Sequence, residues 1–345
     1  MTTTVDVNLA AAPGETHSIA LAGFDPSGAR AEAVNVRMRR RLADSLRYII
    51  DQAGEHLAVA PAAAGAFFTR LEHGPVSPLV YGAYCDLVLA IDADALDEAR
   101  ELLAEIIAAP NCPAGPRIID LKDPKSDGKA NRYLRLVDTD VDAPFSIAPP
   151  PPALAAHVRT LIDQAFRLLE RGNRPLADEV RGIVREIILA GGADDPDAIE
   201  FEGVSSFMLW GAVVLNVDSY KTTLDMIQAL AHESGHNLLF GLCAHGPLHE
   251  NGDTERYSSP LRTDLRPMDG IVHATYVTAR MHQAVRRLAD AGVLDAAQIA
   301  EARDANIANA KRFAMGMETI DLHARLTPIG RAVMDGARRY MAAYL

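Results

Sequence analysis

Cysteine is scarce in this chain: Cys85, Cys112 and Cys243 are the only three in 345 residues, and they lie far apart. An odd, scattered set cannot close a disulfide framework and has no zinc-finger spacing, so it predicts a reducing, cytoplasmic setting. Positive charge is also short, with 34 Lys and Arg against 46 Asp and Glu, a formal charge of -12. That acidic excess speaks against a nucleic-acid groove and favours solubility. Apolar runs are broken by charges, Gly or Pro before they reach the length of a bilayer span. The opening MTTTVDVNLAAAPGETHS lacks a basic region followed by an apolar core, so neither a membrane span nor a secretion signal is expected.

What is present is the residue usage of a globular protein large enough for a sizeable core. Residues 1–17 are expected to form a flexible tail. Residues 18–148 are expected to form a mainly helical region with short strands, and 153–345 a C-terminal metal-binding catalytic region. Four consecutive prolines at 149–152, which favour extended geometry over helix or sheet pairing, mark either that boundary or a stiff crossing within one domain.

Apolar periodicity predicts helices over 31–52, 58–72, 94–109, 153–170, 176–190, 222–241, 271–292, 295–322 and 327–345. The first has a basic face of Arg37, Arg39, Arg40, Arg41 and Arg47, read as the solvent side of a surface helix. Residues 117–120 and 133–137 are strand-like, and the β-branched and aromatic segment 201–217 predicts a buried strand or strand pair. The fold class expected is α+β, mainly helical with a small β-sheet and a metal site on a buried helix.

The chemistry is concentrated in ALAHESGHNLLFG, residues 229–241. Residues four apart share a helix face, so His232 and His236 can offer ring nitrogens to one ion. Glu233 lies about 100° round the axis, where it suits a metal-bound water or a neighbouring ligand better than the ion itself. The flanks are apolar nearly all round, which places the helix in the interior, where imidazoles need partners or a metal. A third protein ligand could come from His245, His249, Glu250, Asp253, Glu255 or His273. One reading is a zinc-dependent metallopeptidase with Glu250 or Glu255 as third ligand and Glu233 as general base.

The helix motif is followed by RYSSPLRTDLRPMDGIVHATY at 256–276. Together the two segments resemble a bacterial family of HExxH-type, 2-oxoglutarate-dependent peptide β-hydroxylases, which modify ribosomally synthesised precursor peptides. Ser259, Pro260, Arg262, Asp264, Arg266, Pro267, Gly270, His273 and Tyr276 fill the positions of the family pattern, and LTPIGR at 326–331 is a weaker echo. The resemblance implies iron(II) at His232, His236 and His273, 2-oxoglutarate held by Arg262 and Arg266, and O2 as cosubstrate. A guanidinium pair suits a distal carboxylate, with Asp264 and Asp269 available to orient it. Three histidines depart from the commoner set of two histidines and one carboxylate. The reaction implied is hydroxylation of a side-chain β-carbon in a ribosomally made peptide. Glu233 is then assigned a supporting place beside the metal.

Overall fold

The computed structural model describes residues 19–113, 115–138, 145–192, 199–262 and 264–345, and of residues 54, 55 and 245 the backbone alone. Residues 1–17, expected as a flexible tail, and the side chain of His245 lie outside the described residues. Two compact units are present. The larger comprises Pro26–Gly241 with Arg280–Asn309; the smaller comprises residues 19–25 with Leu242–Ala279 and Ala310–Leu345.

The chain is mainly helical with a small, open β-sheet. Its helices are α1 (Gly28–Leu57), α2 (Pro61–His73), α3 (Pro78–Asp92), α4 (Leu96–Ala108), α5 (Gly128–Val137), α6 (Pro152–Gly172), α7 (Arg174–Ile183), α8 (Thr223–Leu242), α9 (Met268–Asp290), α10 (Ala296–His323) and α11 (Pro328–Met341). The strands are β1 (Arg117–Asp120), β2 (Glu186–Ala190), β3 (Gly203–Val204) and β4 (Ala212–Asn216). Among the described residues no helix is long and apolar enough to cross a membrane.

The sheet lies in the larger unit with strand order β1-β2-β4-β3. β1, β2 and β4 run parallel, with Ile187 beside Ile118 and Val213, while β3 pairs antiparallel to β4. Every residue of β2 and β4 is buried, so their side chains must serve two cores. Ile187, Leu189, Val213 and Leu215 face one, shared with α6, α7 and α8. Ile188, Ala190, Ala212 and Val214 face the other, shared with Tyr133, Leu136 and Val137 of α5. At the open side of β1, Arg159 of α6 donates to the Ile118 carbonyl at 3.0 Å and to Asp120 at 2.8 Å.

Local signals start the helices. Pro152, last of the proline run, is the first residue of α6, where a missing N–H costs nothing. Ser77 and Asp127 cap α3 and α5, accepting backbone N–H bonds from Leu79 and from Lys129 and Ala130.

Three expectations are corrected. Residues 133–137 are helix: the Asp127 cap and the buried spacing Ala130, Tyr133, Leu136, Val137 form one helical face, which outweighs the aromatic and β-branched content. The predicted helix 176–190 ends at Ile183 and is followed by β2, because Ile187, Ile188 and Leu189 are needed on both faces of the sheet. The basic face of α1 is not all solvated, since Arg37 and Arg39 are buried. The strand at 117–120 and the strand pair within 201–217 appear as expected.

In the smaller unit, Phe24 packs edge-on against Tyr276 of α9 and stacks on Tyr340 of α11. The segment after α8 pairs with the link before α11: Glu250 N–H donates to the Arg325 carbonyl at 2.8 Å and Thr327 N–H to the Leu248 carbonyl at 3.0 Å.

Candidate metal centre

α8 carries the histidine pair in the larger unit. Leu224, Met226, Ile227, Leu230 and Ala231 sink into the core below the sheet, leaving His232 and His236 half-buried on another side of the helix. Their Nε2 atoms stand 3.0 Å apart, as the one-turn spacing predicts. His232 Nδ1 lies 3.3 Å from the Met281 sulfur. A thioether only accepts, so this contact suits the tautomer that carries the proton on Nδ1 and keeps the lone pair on Nε2. The same division of the ring is used when imidazole binds a metal through Nε2. Two nitrogens this close are within the span of a single ion at about 2.1 Å from each. The donor chemistry therefore fits a divalent transition metal.

Glu233 turns away from the pair toward β3. Its Oε2 accepts a 2.6 Å bond from Ser205, and its Oε1 stays 3.8 Å from His232 Nε2. A side chain at Gly203 would collide with it, because an added Cβ would fall 2.5 Å from Oε1. Burial pushes the Glu233 carboxyl up to about 7; the Ser205 bond opposes this shift and the negative charge of Glu202 adds to it. Asn237, one turn on, fixes the arrangement. Its Oδ1 accepts from Gly211 N–H at 2.9 Å, while Nδ2 donates to Ser205 Oγ, the Ala212 carbonyl and the Glu233 carbonyl. Ser205, Gly203 and Asn237 were not singled out in the sequence. A buried Asn one turn after a buried Glu was the available signal.

The remaining sequence-predicted residues belong to the smaller unit. Tyr257 and Arg266 exchange two backbone hydrogen bonds of 2.8 Å, which close the loop between them. Within it Ser259 Oγ accepts from Leu261 and Arg262 N–H, turning the chain so that Arg262 meets Asp264. Asp264 gathers both arginines: Oδ1 accepts from Arg262 Nε at 2.8 Å and Oδ2 from Arg266 Nη1 at 3.2 Å. The Arg262 guanidinium beside it holds the Asp264 carboxyl below the usual carboxylate range.

Asp269 does not join this cluster. Its Oδ1 lies 3.7 Å from His273 Nε2 and 3.9 Å from His249 Nε2, so one carboxylate oxygen faces two imidazoles. His249 is itself oriented, accepting the Asn251 N–H on Nδ1 at 3.1 Å. His273 is buried, and that burial keeps its imidazole below the usual histidine range, opposed by Asp269 and reinforced by His249. Tyr276 is a core residue against Phe24.

The alternative third ligands differ in availability. Glu255 accepts from Arg325, Tyr257, Asn251 and Gly252 N–H, and the Arg325 contact leads in holding it far below the usual range. Glu250 is exposed. Among the described residues no group of three or more His, Cys, Asp or Glu side chains is gathered as a ready-made metal site. No protein-family model matches the chain, and no curated protein matches it.

Proposed function

We propose that this chain is a cytoplasmic, iron(II)- and 2-oxoglutarate-dependent oxygenase that hydroxylates a side-chain β-carbon of a ribosomally made precursor peptide. The observation that carries the reading is the meeting of His232 Nε2 and His236 Nε2 at 3.0 Å, on a helix whose motif is followed by the arginine loop of the family it resembles. His232 and His236 hold the iron, and the resemblance assigns the third ligand to His273. Bound iron(II), with O2 and 2-oxoglutarate, supplies the oxidation: one oxygen atom enters the peptide and the other leaves in succinate, with CO2 released.

The chain's own residues supply placement. Arg262 spends only Nε on Asp264, which leaves its two Nη groups to grip the distal carboxylate of 2-oxoglutarate as a fork. Arg266, on the other oxygen of Asp264, adds a second guanidinium to the same loop. Closure of that loop by Tyr257 and Arg266 limits the movement of both before the cosubstrate arrives. Glu233 takes no ligand place in this reading; with Ser205 and Asn237 it fixes the wall behind His232.

A zinc-dependent peptidase is the second reading, favoured by one contact: Glu233 Oε1 at 3.8 Å from His232 Nε2, a place from which a general base could serve a metal-bound water. Glu255, with its carboxylate already ringed by donors, weakens the ligand set which that reading needs.

The test is incubation of anaerobically purified protein with iron(II), 2-oxoglutarate, O2 and a candidate precursor peptide. Succinate release and a peptide heavier by about 16 mass units, one oxygen atom, are expected. Peptide cleavage with zinc alone, needing neither 2-oxoglutarate nor O2, would overturn the oxygenase. His232→Ala and His236→Ala should each lose stoichiometric iron binding in a metal titration. His273→Ala separates the resemblance from the pair: iron retained with full turnover would remove it from the ligand set.

A further inference from the structure

We propose that the larger unit has a second ligand site: a cavity at the β1 margin of the sheet, built for a small organic anion with an apolar body and a single carboxylate. The cavity measures about 490 Å³, within the range of small-molecule pockets. It lies on the sheet face of Ile188 and Tyr133, opposite the face into which α8 packs, and none of the residues assigned to iron or 2-oxoglutarate lines it.

Strand alternation builds one wall. Arg117, Ile119 and Leu121 project to the same side, next to Ile188, while the first turn of α5 and the proline-flanked segment around Asn111 complete the lining. Beneath this wall is Glu186, fully buried at the start of β2. It accepts from Ser77 Oγ at 2.9 Å, from Arg117 and from the Tyr133 hydroxyl. All three donors line the cavity. One buried carboxylate thus fixes three polar wall groups before any ligand arrives, a degree of preorganisation that a packing void does not need.

Charge selects the class of ligand. Both lining carboxylates are already committed, Asp120 to Arg159 at 2.8 Å and Asp127 to the α5 backbone and to Lys122 at 3.3 Å. Arg117 is engaged by Glu186. Lys129 also lines the cavity, and among the described residues its ammonium has no ion pair. An apolar chamber with one uncommitted cation complements an apolar body with one negative charge. A multiply charged phosphate is disfavoured, because Lys129 is the one lining cation left uncommitted among the described residues and the α5 N-terminus is filled by its own cap.

Cys112 on the lining provides the reporter. Burial, aided by Glu186, raises its thiol above the usual range, so alkylation is slow and depends on access. The probe is 3-phenylpropionate, with 3-phenylpropionamide as its neutral counterpart, applied to the full chain. At millimolar 3-phenylpropionate, N-ethylmaleimide labelling of Cys112 followed by peptide mass spectrometry should slow several-fold, with Cys85 and Cys243 unchanged. Saturation-transfer NMR should show binding of the acid, weaker binding of the amide, and about a fivefold loss of affinity in Lys129→Glu but not Lys129→Arg. Cys112→Trp, which fills the chamber, should abolish the signal. The site is refuted if the acid leaves Cys112 labelling unchanged. Its anion preference is refuted if the amide, or Lys129→Glu, binds equally well.

Discussion

Two carboxylates of the larger unit, Glu179 on α7 and Glu233 on α8, are both almost completely buried, yet the fold treats them differently. Glu179 accepts from Arg30 at 2.5 Å, from Arg280 and from Ser27 N–H at 2.9 Å, so two guanidinium groups surround it. Glu233 has the Ser205 hydroxyl on its carboxylate and is pushed up to about 7. Burial alone therefore does not fix what a carboxylate is for. Where opposite charges converge, the group ties helices together. Where only a neutral donor is supplied, the group keeps the ability to take up or release a proton near neutrality.

The sharpest way to break the comparison is Glu179→Ala. It would remove the buried carboxylate that Arg30 and Arg280 share, at a cost of about 3–5 kcal/mol in urea unfolding. If the loss is below about 1 kcal/mol, the cluster is not an anchor. A buried base tests the same logic with reversed sign. Burial, with Arg286 adding to it, lowers His282 to about 4 from the usual 6.5. Its contribution to stability is complete above pH 6.5 and is lost as the pH falls toward 4, on the order of 2 kcal/mol across that window. Urea midpoints from pH 7 to 4.5 should show this acid limb, and His282→Gln should flatten it.

A smaller effect sharpens the Glu233 side. Gly203→Ala would press a methyl against Glu233 and should cost about 1–2 kcal/mol. In a Glu233→Ala background the same change should cost less than half as much, a coupling visible in a double-mutant cycle. Smallest of all, Glu233→Gln keeps an acceptor for Ser205 and should stay within about 1 kcal/mol of the parent. It should also retain part of the succinate release, whereas a peptidase would lose its base.

The helix with His232 and His236 was legible because its signal is local: two ring nitrogens one turn apart and apolar flanks on all sides. Arg262 and Arg266 were legible as a pair only through the resemblance, and their joint hold on Asp264 depends on a loop closed by backbone bonds that no residue pattern announces. Asp269 was expected beside the arginines and faces His249 and His273 instead, since its position one turn before His273 on α9 governs its direction. β2 was missed for a different reason. A short apolar run that faces two cores has no alternation to distinguish it from the end of a helix. In α5 the Asp127 cap marks a helix start in the sequence, and the aromatic and β-branched content of 133–137 obscures it.

Arg159 has a consequence beyond tertiary packing. An open sheet ends in a row of backbone groups that can recruit a strand from another molecule. On the β1 side this guanidinium holds the Ile118 carbonyl and neutralises Asp120, so an incoming chain would first have to displace a charged group. Such a guard works against edge-to-edge pairing of copies, while a half-exposed ion pair adds little to the folding equilibrium.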